Sequence, residues 1–246
     1  LTVRDLAPAT VNRRLAGLRA YAAWAKSTGA LATDPTAEVQ FVDEQRSPPR
    51  WLDRQQQVAL RRTLDLTLER AELEARLAEL EGRPPPPALI WTRRDVALVL
   101  FLLNTGLRVA ELTHLDLDHV ELHPRSGQAT VLGKGCKRRT IPLNAEARSA
   151  LAAWLAVRPE SASPALFTGR RGARLGARSV QRIVARCGEG LTPHVLRHTF
   201  AKNLVNAGVG LEKAADLLGH SRLDTTRIYT RPGWQDLEEA VEALAA

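Results

Sequence analysis

The chain contains no methionine and only two cysteines, Cys136 and Cys187. Two cysteines build no disulfide framework and suit a reducing cytosol. No run of about 18 apolar residues occurs, so no membrane span is expected. No signal-peptide pattern opens the chain, and a cytoplasmic location is expected. With Leu1 first and no methionine anywhere, the native chain is expected to extend N-terminal of Leu1. Aromatic residues are scarce at 4%, and the only tyrosines are Tyr21 and Tyr229. Basic charge, by contrast, is plentiful. The 246 residues carry a formal charge of +8 and a pI near 10.3. Asp236, Glu238, Glu239 and Glu242 lie after residue 233, where there is no Lys or Arg. A basic body with an acidic tail points to a polyanion for the body and a basic protein groove for the tail. The same charge would also serve solubility alone.

The pattern reads as mainly α with a small antiparallel β-sheet. Thr10 to Thr28 reads as a helix, with Val11, Leu15, Leu18, Ala22 and Ala25 on one stripe. Asp34-Pro35 opens a turn, and Ser47-Pro48-Pro49 reads as a linker. Leu52 to Glu81 is a second helical stretch. Leu66, Leu73, Leu77 and Leu80 give it a short heptad-like seam, too short to specify a coiled coil. Prolines 84–87 end it. Thr92-Arg93-Arg94-Asp95 matches a capping box, which predicts a helix from there to Asn104. Gln128–Leu132 and Arg139–Leu143 read as two strands joined by the turn Gly133-Lys134-Gly135-Cys136-Lys137. Helices follow from Asn144, near Ser179, from Thr192-Pro193, over Leu211–Leu218 and Asp224–Thr230, and from Gln235.

Several residues could carry chemistry. His194 and Arg197 stand three apart at a predicted helix start, where free N–H groups favour an anion. They could equally cap the helix and pair with an acid. Arg108 follows Gly106-Leu107 at a helix junction and could simply pair with Glu111. Lys134, between two glycines, projects from a turn, as solvated lysines also do. Arg178, Arg182 and Arg186 recur every four residues, a stripe suited to a DNA backbone or to water. Gly127 to Lys134 approaches a phosphate loop, but the spacing is off by one and Gly135 stands where Ser or Thr should be. His194 and His198 are spaced for zinc, but Val195 replaces the required Glu. His114, His119 and His123 with Asp116 and Asp118 match no metal template. No nucleotide or metal site is read from these.

Four segments, in this order, resemble the tyrosine recombinase (phage integrase) family, and its bacterial Xer-like branch. They are Thr105–Leu112, Gly133–Leu143, His194–Ala201 and Leu217–Thr230, the last reading LLGHSRLDTTRIYT. The resemblance implies a mainly helical catalytic domain with a small sheet over 51–246. A linker at 47–50 would join it to the last part of a helical, SAM-like DNA-binding domain at 1–46. Residues 66–90 look like an insertion, and 234–246 resemble a C-terminal helix that docks on a neighbouring subunit. The resemblance makes Arg108 and Arg197 the clamp on the scissile phosphate and His220 its third donor. It makes His194 the general base, Lys134 the general acid and Tyr229 the nucleophile. Arg13 and Arg14 join Arg178, Arg182 and Arg186 as DNA contacts. The implied partner is double-stranded DNA, held in a homo- or hetero-tetramer, with no cofactor, metal or ATP. The implied reaction cuts and rejoins DNA through a 3′-phosphotyrosyl link. A type IB topoisomerase, or a non-cleaving regulator on the same scaffold, would use many of the same residues.

Overall fold

The structure, a computed structural model, describes residues 6–43, 49–133 and 138–219. The chain divides into two compact units, Leu1–Pro48 and Pro49–Ala246.

In the first unit, helix α1 spans Pro8–Ser27, with proline in its first turn. It buries Leu15, Ala22 and Ala25. Leu18 departs from the predicted stripe: it is 58% exposed, alongside Tyr21 and Trp24. Among the described residues, the chain packs on the Leu15–Ala22–Ala25 side. That chain returns along α1, where the Asn12 amide donates to the Val42 carbonyl and accepts from its N–H, both at 2.8 Å. Arg13 and Arg14 are exposed.

The second unit is built around α3 (Ala88–Thr105). Residues 96–103 are all buried, and a helix apolar on every side belongs inside a core. Each such leucine contributes about 1.5–3 kcal/mol on burial. α3 packs against α2 (Arg54–Leu80), α5 (Ala145–Leu155) and α7 (Pro193–Asn206). The capping box expected at Thr92 is not a helix start: α3 begins one turn earlier, after Pro87. Ile90 and Trp91 pack on the core and extend the helix backwards. The Asp95 carboxylate is taken by Arg94 and Arg186 instead of capping. α2 has the true box, with Asp53 accepting from Gln56 N–H at 2.7 Å and Gln56 returning a bond to Asp53 N–H.

After α3 come the short α4 (Val109–Thr113) and a three-stranded antiparallel sheet in order β1-β2-β3. β2 (Gly127–Leu132) and β3 (Arg138–Pro142) match the two expected strands within a residue. β1 (Val120–Leu122) was not expected, because three residues are too few to show alternation. Ala129 pairs with both Val120 and Ile141, so Ala129, Val131 and Ile141 share the buried face. Trp154 of α5 is fully buried and donates to the Leu166 carbonyl at 2.9 Å. α6 (Ala177–Ala185) and α8 (Leu211–Leu218) complete the α-helices of the described residues. None of those helices is long and apolar enough to cross a membrane.

Candidate active site

Three arginines from three elements meet at the C-terminal end of α8. Gly106 closes α3 at φ 61, a left-handed conformation that favours glycine. A Cβ there would also meet the Phe200 ring at 2.4 Å. The turn delivers Leu107 into the core and Arg108 to the edge of α4. Arg108 donates through Nη1 to the Leu218 carbonyl at 3.4 Å and through Nη2 to the Gly219 carbonyl at 3.2 Å. Arg197, on α7, is 5% exposed. It donates to the same Leu218 carbonyl at 2.7 Å and to the Gly106 carbonyl at 2.5 Å. Arg139, on β3, donates to the Leu217 carbonyl at 3.1 Å. The last carbonyls of a helix carry partial negative charge, which suits all three cations. Gly219 follows α8 at φ 63, and a Cβ there would stand 2.7 Å from Arg139 Nη1.

One carboxylate organises the cluster. Glu111, its side chain 7% exposed, accepts from Arg139 through both oxygens at 3.0 and 2.9 Å. It also accepts from the Arg108 N–H and Nη1, each at 2.9 Å. Burial pushes the Glu111 carboxyl up, but the Arg139 fork, the Arg108 N–H and the two positive charges bring it below its ordinary 4.5. Two guanidiniums, those of Arg108 and Arg139, pair with this one carboxylate, while Arg197 meets Arg108 on the Leu218 carbonyl.

Removing the Glu111 carboxylate would strand a nearly buried Arg139. Glu111→Ala is therefore expected to cost about 3 kcal/mol of stability, read by denaturant unfolding. The acid is depressed in the fold, so its contribution is complete above the unfolded value of 4.5 and disappears as pH falls through the lower folded value. The gap between wild type and variant should narrow below about pH 4.5. A gap that is constant with pH would count against this charge-based account.

His194 is exposed in the first turn of α7, where Thr192 Oγ1 accepts from Val195 N–H at 3.2 Å. Its ring lies 6.5 Å from that of His198. His198 is half-buried, and burial, then His194 and Arg197, lower its pKa and favour the neutral ring. The structure thus joins Arg108 to Arg197 and sets His194 one turn before Arg197 on α7. Lys134, His220 and Tyr229 lie outside the described residues. Sequence reasoning left Arg139 out, and it saw Glu111 only as a partner for Arg108. The signal for Arg139 was its shared face with Ile141 in a strand of period two.

Arg178 and Arg182 on α6 and Arg186 just after it are all exposed, and Arg186 pairs with Asp95 at 2.9 Å. Arg174 serves the fold: it binds Asp116 at 2.5 Å and the Thr113 carbonyl at 2.9 Å. Asp116, Asp118 and His119 come close enough to share a cation, but Arg174 already occupies the Asp116 carboxylate.

The profile of the Phage integrase family matches residues 86–235, well over half the chain. The chain belongs to the phage integrase family. Within this family, it is 36% identical to a tyrosine recombinase XerC of Chromohalobacter salexigens, over 97% of this chain and 75% of that protein. The XerH site-specific recombinase, solved on its difH substrate before cleavage, superposes with a TM-score of 0.60 at 25% identity. That match covers 85% of this chain and 58% of the XerH chain. The Tn1549 transposon integrase shares the fold at 19% identity, with a TM-score of 0.67 over 97% of this chain and 80% of its own. The Xer-like resemblance and the mainly helical fold with its small sheet are both shown by these matches.

Proposed function

We propose that this integrase-family chain is a site-specific DNA recombinase, cutting and rejoining double-stranded DNA through Tyr229. The observation that carries the reading is the single carbonyl, Leu218 O, shared by Arg108 and Arg197. Two forked cations reaching one atom form a receptor for one tetrahedral anion. A phosphate oxygen carries more charge than a carbonyl, so it competes well for those donors. Attack by the tyrosine oxygen puts further negative charge on the non-bridging phosphate oxygens, which the guanidiniums stabilise. His220, one residue beyond Gly219, adds the third donor. His194 takes the tyrosine proton, whose ordinary pKa is about 10. Lys134, in the sequence between β2 and β3, protonates the leaving 5′ oxygen. The phosphotyrosyl link conserves the bond energy, so the step calls for neither ATP nor metal. Arg13, Arg14, Arg178 and Arg182 offer exposed charge to DNA phosphates, and Arg186 does so while sharing Asp95. Four such chains, alike or mixed, would join two duplexes, with residues 234–246 docking on a neighbour.

The test is to express the chain in cells, purify it under denaturing conditions, and sequence any DNA attached to it. One recurring site, with adducts also formed in vitro in EDTA without ATP, is the expected result. Scattered attachment, with relaxation of supercoiled DNA by dilute protein, would instead make it a topoisomerase. No attached DNA would make it a non-cleaving regulator.

A further inference from the structure

The C-terminal half of α2 shows two unlike faces. Ala71, Ala75 and Ala78 are buried along one side. On the other side Leu66, Leu73, Leu77 and Leu80 are 53–86% exposed, and a shallow groove runs between the first three along Glu69, Arg70 and Glu74. A row of leucines this open is costly in water unless something covers it. In heptad terms Leu66, Leu73 and Leu80 take d, while Arg70 and Leu77 take a. Glu69 and Arg76 then flank the seam at g, and Glu74 and Glu81 at e.

We propose that a second copy of this chain covers the seam, its α2 running antiparallel so that Leu66 faces Leu77 of the other copy. The charges select that register. It sets Glu69 of each copy beside Arg76 of the other, two attractive pairs, and lets each Arg70 stem lie over Leu73. A parallel pair would oppose Arg70 to Arg70 in the seam, and its Arg76–Glu81 pairs would be offset by Glu69 against Glu74. Sliding an antiparallel pair by one heptad would oppose Glu74 to Glu74 and Arg76 to Arg76. The chain's own acidic tail fits poorly, because the rim is itself rich in glutamate. The contact covers only three to four turns, well below the roughly 1,200–2,000 Å² of a stable pair. It is a weak contact, which gains strength where another tether holds the copies together.

The experiment is sedimentation equilibrium of the full chain without DNA, from micromolar to near-millimolar concentration. Wild type should show a growing dimer, and Leu73→Glu with Leu77→Glu should remain a monomer. These leucines are exposed, so the variant keeps its fold. Glu69→Arg or Arg76→Glu alone should weaken dimerisation about tenfold. Combining the two restores it, because the attractive pairs return with signs reversed. Leu66→Cys chains mixed with Leu77→Cys chains should form a disulfide that neither forms alone. A monomeric wild type, a double charge swap as weak as its parents, or self-linked Leu66→Cys chains would each overturn the proposal. None of these outcomes depends on DNA cleavage.

Discussion

Tyr229→Phe should form no covalent DNA adduct at any incubation time, while binding the same DNA nearly as tightly as wild type. The substitution removes one oxygen and leaves the ring. In the proposed reaction that oxygen is the atom that bonds to phosphorus. Binding rests instead on many cation–phosphate contacts, which the change does not touch. The chain has only one other tyrosine, Tyr21, which lies exposed on α1 in the other compact unit. Attachment is read as protein that stays with labelled DNA through denaturing electrophoresis, and binding as a gel shift. An adduct of wild-type yield from the phenylalanine variant would place the nucleophile elsewhere.

Arg197→Ala is expected to slow adduct formation by about a hundredfold or more, the usual cost of one lost donor to a developing oxyanion. The fork of Arg197 is held between the Gly106 and Leu218 carbonyls, so it is oriented before substrate arrives. A donor fixed in advance needs no reorganisation during attack. Arg197→Lys keeps the charge and loses the planar fork, so it should recover only part of the rate. Because Arg197 is buried, thermal unfolding of each variant must accompany the kinetics. A variant that folds and reacts at the wild-type rate would remove Arg197 from the mechanism.

Sequence reasoning succeeded where one local signal was strong. Thr192-Pro193 marked the start of α7, the Lys134 turn marked the β2–β3 hairpin, and Leu211–Leu218 was bounded to the residue. It failed where tertiary contacts outweigh local ones. Thr92 satisfied a capping pattern, yet the core claimed Ile90 and Trp91 and drew the helix back a turn. The site was legible as residue types but not as geometry. Arg108 was foreseen as either a phosphate ligand or the partner of Glu111. In the structure it makes the Glu111 pair and still reaches Leu218 and Gly219. Nothing local in the sequence could say that a helix end from far along the chain supplies the oxygens on which both arginines rest.

Those oxygens belong to the peptide main chain at 217–219. A carbonyl survives every exchange of side chain, so the supports of the guanidiniums at 217 and 218 do not depend on which side chains stand there, although Leu218 itself is held by burial in the core. The burden of heredity falls on contour instead. It concentrates at Gly219, where even a methyl group would collide with Arg139.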